Sequence, residues 1–228
     1  MAAGGERAAA PSTRPDPTTG ATQPVGAART AATTRVSGRS AAQPNTAAQP
    51  DVSDDGAAVR PGILWLDCGD TLVDEDSQVF DDAGNVLTAT LLPDALAVLT
   101  ALQAAGWRLG LVADGRVRSF ENILASTGLA PLFETRTISE AVGQEKPAAA
   151  MFAAAQAAMH LTAGDLRRTV MVGNNLARDV QGANAFGVLS VWYDWSPRYP
   201  HAPSGDLQQP TATITALAQL PAALDALI

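Results

Sequence analysis

Carboxylate side chains stand just after three short apolar runs of the chain. Asp67 opens one polar segment, Asp114 lies in a second, and Asp179 follows a third. A carboxylate can attack phosphorus when a cation neutralises the incoming charge, and water then hydrolyses the resulting aspartyl-phosphate. A second carboxylate would complete an octahedral magnesium site. These residue types suit phosphoryl transfer with Mg²⁺ as the cofactor.

Lys146 is the only lysine of the chain, and the other fourteen basic residues are arginines. A compact ammonium fits between a carboxylate and a phosphate better than the broad fork of a guanidinium. The alternative is an ordinary lysine near a helix start, since Pro147 follows it. The carboxylate segments around it favour the functional interpretation.

Short apolar runs alternate with helix-like stretches from residue 61 onward. Such alternation predicts an α/β fold, a three-layer doubly wound parallel sheet of the Rossmannoid type. Ligands of these sheets bind beyond the carboxyl ends of the strands, where the polar segments fall. The predicted strands lie near residues 63–66, 109–112, 135–139, 169–172 and 189–193, and the predicted helices near 93–106, 119–126, 147–160 and 176–186.

Two further segments interrupt this alternation. Residues 79–80 and 86–87 flank a turn rich in Asp, Gly and Asn, which predicts a small hairpin flap near residues 76–90. Residues 1–58 contain almost no large apolar side chain, so we expect a disordered Ala/Pro/Thr-rich head. The α/β domain would then span residues 59–228.

Composition narrows the classes of function. The net charge is −8, and the first fifty residues carry five arginines against two acids, so the remainder is strongly acidic. An acidic domain disfavours nucleic-acid binding, which depends on neutralising phosphates. A single cysteine, Cys68, allows no internal disulfide and is expected to be a small buried residue. No apolar run is long enough to span a bilayer, so a cytoplasmic protein without a membrane partner is expected.

Four segments, in order and spacing, resemble the motifs of the haloacid dehalogenase superfamily, and the resemblance covers residue 62 to about residue 226. They read ILWLDCGDTL, LGLVADG, EKP and VGNNLARDVQGANAFG. The resemblance implies that Asp67 is both the nucleophile and a metal ligand. It also implies that Lys146 balances charge between the nucleophile and the substrate phosphate.

The remaining site residues are carried over from the same resemblance. The Gly69 carbonyl, Asn174 and Asp179 would complete the magnesium site. Substrate phosphate would meet Lys146 and the backbone amides of the second segment, those of Ala113, Asp114 and Gly115.

Three positions depart from the family's pattern. Gly69 replaces the acid that protonates the leaving oxygen, and such catalysis contributes about 100- to 10,000-fold. Asp70 could substitute for it, although on an extended segment its side chain would point the other way. Ala113 replaces a phosphate-binding hydroxyl. Asn174 replaces a metal-binding acid, so magnesium binding should weaken rather than vanish.

Three functions therefore remain open. The first is a magnesium-dependent phosphatase that acts on a phosphorylated substrate through Asp67. The second is a catalytically impaired protein that binds a phosphorylated ligand or partner, and the third is a metal-independent hydrolase of a non-phosphate bond. Between the first two segments only about residues 74–92 are available, too few for a cap domain. Within the family that this chain resembles, an open site implies macromolecular or bulky substrates, or a homo-oligomer in which a neighbouring subunit supplies a lid.

Overall fold

A six-stranded parallel sheet forms the centre of the described part of the protein. The computed structural model describes residues 62–228, and the head predicted at residues 1–58 lies outside them. The strands are β1 Ile63–Leu66, β4 Arg108–Ala113, β5 Thr135–Ile138, β6 Thr169–Gly173, β7 Leu189–Tyr193 and β8 Ala212–Ile214. Their order in the sheet is β5-β4-β1-β6-β7-β8, and every neighbouring pair is parallel. This confirms the predicted fold class.

Strand β1 shows why the sheet is covered on both faces. All four of its residues are fully buried. Successive side chains of a strand point to opposite faces. Leu64 and Leu66 accordingly belong to one apolar cluster, whereas Ile63 and Trp65 belong to another. A continuous apolar run is the pattern expected of a parallel strand between two helical layers.

The helices divide between these two clusters. Buried side chains of α1, α2 and α7 lie in the first cluster, and those of α4 and α6 in the second. The helices are α1 Ala95–Ala104, α2 Val117–Thr127, α3 Ser139–Val142, α4 Ala149–Ala158, α5 Ala163–Leu166, α6 Gln181–Phe186 and α7 Leu220–Asp225. The three layers of the prediction are therefore present.

The strand order places the polar segments side by side. β1 lies between β4 and β6, so the chain builds outward from β1 in both directions. The crevice at such a reversal is where doubly wound sheets bind ligands. Asp67 follows β1, Asp114 follows β4, and Asn174 follows β6.

The predicted flap near residues 76–90 corresponds to an antiparallel pair, β2 Val73–Phe80 and β3 Val86–Leu91. Asp81 closes its turn, because its Oδ1 accepts hydrogen bonds from the amides of Ala83 at 3.0 Å and Asn85 at 2.7 Å. Helix α2 holds the other side of the pair. Ser119 Oγ accepts the Val86 amide at 3.0 Å, and Asn122 donates to the Val86 carbonyl at 2.8 Å.

Some local predictions need correction. In the helix predicted near 93–106, apolar spacing predicts that Leu96, Leu99 and Leu102 share one side, but only Leu99 and Leu102 are buried and Leu96 is exposed. The helix predicted at 176–186 begins with a π-helical turn, Leu176–Val180, before α6. Strand β8 and helix α7 were not predicted. No helix within residues 62–228 has the length and apolar character needed to cross a membrane.

Candidate active site

Lys146 lies at the centre of the site and joins the two predicted carboxylates. Its Nζ donates hydrogen bonds to Asp67 Oδ1 at 2.7 Å, Asp179 Oδ1 at 2.7 Å and the Val112 carbonyl at 2.9 Å. All three ammonium protons are therefore used. Burial alone would lower the pKa of Lys146, but the adjacent Asp179 and Asp67 outweigh it, so the pKa is raised. The ammonium stays charged.

The loop that carries Lys146 lies between α3 and α4. The Lys146 amide donates to Asp114 Oδ1 at 2.9 Å, which ties this loop to the end of β4. Arg178 binds the other oxygen, Asp114 Oδ2, at 3.1 Å and also Glu145 at 3.3 Å. The polar segments predicted to converge are thus linked by direct ion pairs and hydrogen bonds.

Asp179 is placed by the π-helical turn after β6. Its Oδ2 accepts the Asn175 amide at 3.0 Å. Asn175 also caps the turn, accepting the amides of Ala177 at 3.0 Å and Arg178 at 3.2 Å. A Cβ at Gly173 would lie 2.2 Å from Asp179 Cγ, so the close approach of the carboxylate requires glycine there. Burial raises the pKa of Asp179, although Lys146 opposes the shift.

Asp67 is the more accessible of the two carboxylates on Lys146. Its side chain is 13% exposed, against 2% for Asp179. Thr71 donates to Asp67 Oδ2 at 3.2 Å, so both of its oxygens are oriented. Of these two, Asp67 is therefore the group that a molecule entering from solvent can reach.

The predicted phosphate-binding segment at the end of β4 is only partly available to an anion. Asp114 and Gly115 line the cavity beside Asp67, whereas the Ala113 side chain is fully buried. The Gly115 amide donates to Ser139 Oγ at 2.8 Å. Gly115 would have to break that bond before its amide could hold an anion, so this part of the predicted phosphate site is already occupied.

The oxygen atoms around Asp67 are of the kind that Mg²⁺ prefers: the carboxylates of Asp67 and Asp179, the Gly69 carbonyl and the Asn174 carboxamide. This set carries less negative charge than one with an acid at residue 174. Asn174 is buried, and its Nδ2 has no hydrogen-bond partner, which leaves an N–H donor free for an acceptor such as a phosphate oxygen, whereas a cation would bind its carbonyl oxygen. Within residues 62–228 no group of three or more His, Cys, Asp or Glu side chains is arranged to hold a metal ion.

Asp70 does not substitute for the missing acid. It is buried, and its Oδ2 accepts hydrogen bonds from Arg198 Nε at 2.8 Å and Ser196 Oγ at 2.9 Å. Its Oδ1 accepts the Glu75 amide at 3.0 Å. Asp70 therefore holds the base of the hairpin instead of facing the cavity.

A cavity of about 280 Å³ adjoins this cluster. Its polar end carries Asp67, Lys146 and Asp179, and the hairpin and α2 supply an apolar wall that includes Phe80 and Phe120. Sequence reasoning missed several polar residues at this cavity, among them Glu75, Arg116, Arg178 and Tyr199. For Arg178 a signal existed, because it lies in the fourth segment beside Asp179. The other three are placed by loops and by the hairpin.

Cys68 follows Asp67 directly and takes no part in this network. It is fully buried, and burial, with a further contribution from Asp67, raises the pKa of its thiol well above the usual value. A protonated buried thiol is unreactive. The expectation of a small packed residue fits this environment.

A doubly wound sheet whose carboxyl edge holds a carboxylate, a buried lysine and a second carboxylate defines an α/β protein of the Rossmannoid hydrolase type. Residues 54–187 match the family of haloacid dehalogenase-like hydrolases. This match covers more than half of the chain, so the protein belongs to that family.

Curated relatives resemble part of the chain. A glyceraldehyde 3-phosphate phosphatase of Pyrococcus abyssi is 34% identical over 105 residues, 46% of this chain and 42% of that protein. A ribulose-1,5-bisphosphate 5-phosphatase of Halopiger xanaduensis is 33% identical over 117 residues, 51% of this chain and 48% of that protein. The chain thus spans less than half the length of either relative.

A solved structure supports the fold. The putative hydrolase YfnB of Bacillus subtilis, which belongs to the same superfamily and was crystallised with magnesium, aligns with a TM-score of 0.59 and 17% identity. The alignment covers 73% of this chain and 99% of that one. At this identity the likeness concerns the fold alone.

Proposed function

We propose that the protein is a magnesium-dependent phosphatase that hydrolyses phosphate monoesters through an aspartyl-phosphate on Asp67. The observation that carries this proposal is the position of Lys146, 2.7 Å from both Asp67 and Asp179 at the carboxyl edge of the sheet. The phosphatases among the relatives add support.

Each residue of the proposed site has a distinct role in the reaction. Asp67 attacks phosphorus, and Lys146 holds its Oδ1 while the Thr71 hydroxyl holds its Oδ2. Lys146 remains charged and offsets the negative charge that gathers as carboxylate and phosphate approach. Asp67, Asp179, Asn174 and the Gly69 carbonyl would hold Mg²⁺, which would supply further neutralisation of the phosphate oxygens.

The substrate proposed is a small phosphorylated molecule and not the bulky one expected from an open site, because the hairpin adds a wall to the cavity beside Asp67. The cavity of about 280 Å³ accepts a phosphate at its polar end and an organic group against the wall of Phe80 and Phe120. Glyceraldehyde 3-phosphate and ribulose 1,5-bisphosphate, named for the relatives, belong in the first panel of compounds tested. A second copy serving as a lid stays a prediction.

Phosphate release from such a panel, with Mg²⁺ or with chelator, tests the proposal. We expect magnesium-dependent turnover that Asp67→Asn abolishes, because the amide cannot act as the nucleophile. Asp76→Asn is the matched control, since this exposed hairpin carboxylate lies away from the cavity. Turnover that survives in Asp67→Asn would refute the assignment.

A second candidate is a protein that binds a phosphorylated ligand without hydrolysing it. The uncharged Asn174 and the occupied Gly115 amide favour it, because both reduce the stabilisation available to a reacting phosphate. Calorimetric binding of a phosphorylated ligand, with neither affinity for Mg²⁺ nor turnover, would select this function over the phosphatase.

A further inference from the structure

Glu75, on strand β2, brings a carboxylate into the space beside Gly69. A Cβ placed on Gly69 would lie 2.0 Å from Glu75 Oε1 and 2.8 Å from its Cδ. In an aspartate, the carboxylate oxygens lie only about 2.4 Å from the Cβ, given ordinary bond lengths. The Glu75 carboxyl therefore occupies the volume that an acidic side chain at residue 69 would fill.

The other carboxylates at the cavity are already committed to strong partners. Asp67 and Asp179 each bind the Lys146 ammonium at 2.7 Å. Asp114 accepts the Lys146 amide at 2.9 Å and pairs with Arg178 at 3.1 Å. A proton donor for a leaving oxygen must be able to hold and release a proton, which such ion pairs oppose.

Glu75 is bound more loosely. Its ion pair is with Arg198 Nε at 3.4 Å, and the same nitrogen lies closer, at 2.8 Å, to Asp70. The Nη2 atom of Arg198 also binds Asp76 at 2.7 Å. The Glu75 side chain is about one-third exposed and lines the cavity with Asp67. Asp70 fixes its backbone by accepting the Glu75 amide at 3.0 Å.

We propose that Glu75 is the acid–base residue of the reaction, supplied by the hairpin in place of residue 69. This inference rests on the proposed phosphatase function. In the first step Asp67 forms a bond to phosphorus, the ester P–O bond breaks, and the leaving oxygen takes a proton from Glu75. In the second step Glu75 takes a proton from water, whose oxygen bonds to phosphorus as the P–O bond to Asp67 breaks. Inorganic phosphate leaves, and both carboxyl groups return to their starting states.

The test compares two esters that differ in their need for a proton. An alkyl phosphate releases a strongly basic alkoxide, whereas nitrophenyl phosphate releases a stable phenolate. For Glu75→Gln we expect kcat/KM on the alkyl ester to fall by about 100-fold or more, the lower range for general acid catalysis. On nitrophenyl phosphate kcat/KM should fall by only about tenfold or less, because its leaving group does not need the proton. Equal losses on both esters, or no loss, would overturn the proposal.

Asp76→Asn is the matched control, because Asp76 neighbours Glu75 and shares Arg198 but does not line the catalytic cavity. If Glu75 acted only through its ion pair with Arg198, both variants would lose activity without regard to the leaving group. Circular dichroism and the urea midpoint of each variant establish that the fold is retained.

A reciprocal variant tests the shared space directly. Gly69→Asp alone should impair the enzyme, since its Cβ meets Glu75 at 2.0 Å. Combined with Glu75→Ala, the same aspartate has room and should restore activity on the alkyl ester. Restoration supports the proposal, and a double variant no better than Glu75→Ala opposes it. Failure of the underlying function is distinguished by Asp67→Asn, which must abolish turnover on both esters.

Discussion

Replacement of Lys146 by Met should destabilise the protein strongly, because it removes the charge between two carboxylates and retains most of the side-chain length. Asp67 Oδ1 and Asp179 Oδ1 each lie 2.7 Å from Nζ, so they are separated by at most twice that distance, about 5.4 Å. At an effective dielectric constant of about 20, two unit charges at that separation repel by about 3 kcal/mol. Removing one partner of a buried ion pair costs about 3–5 kcal/mol.

Urea unfolding in chelator, followed by circular dichroism, measures this loss. The double variant Lys146→Met with Asp179→Asn is the informative control, since it removes one of the two repelling charges and should recover part of the stability. A single variant within about 1 kcal/mol of the wild type would refute the reasoning. So would a double variant less stable than the single one, because the energetic coupling would then have the wrong sign.

Two further predictions concern residues beside Asp67. Cys68 is fully buried with a raised thiol pKa, so a disulfide-exchange reagent should modify it only on unfolding; rapid labelling of the native protein would contradict its placement. Asn174→Asp restores a negative charge to the proposed magnesium site and should lower the Kd for Mg²⁺ in isothermal titration calorimetry. An unchanged Kd would show that residue 174 is not a ligand.

The strands and the convergence of the polar segments could be predicted because both depend on local patterns. A continuous apolar run such as Ile63–Leu66 predicts a strand buried on both faces, and parallel strands bring their carboxyl ends to one edge. That was sufficient to place Asp67 and Asp179 together, whereas the place of Lys146 in the site was implied by the resemblance to the haloacid dehalogenase superfamily. The single lysine also pointed to its role by its rarity among fourteen arginines.

The features that escaped prediction depend on contacts between distant segments. The path of the hairpin is fixed by Ser119 and Asn122 on α2, which hold Val86 across more than thirty residues of sequence. The Asp70 side chain points away from the site as expected, but the cause is a left-handed backbone with a φ of 48° and a bond to Arg198, and not an extended segment. Neither effect is visible in the local sequence, so Glu75 could not be assigned to the cavity.

The position of the Glu75 carboxyl depends on the absence of a side chain at Gly69. Any side chain at residue 69 would overlap the Glu75 carboxyl in its present position, with a Cβ only 2.0 Å from Oε1. The two positions therefore cannot both place a carboxylate in this space unless the Glu75 side chain moves. The lack of an acid two residues after Asp67 therefore does not mean that acid–base catalysis is lost, because the lack of a side chain at Gly69 leaves room for the Glu75 carboxyl. Asp70, the residue after Gly69, accepts a hydrogen bond from the Glu75 amide. Asp70 is therefore a positioning residue for Glu75.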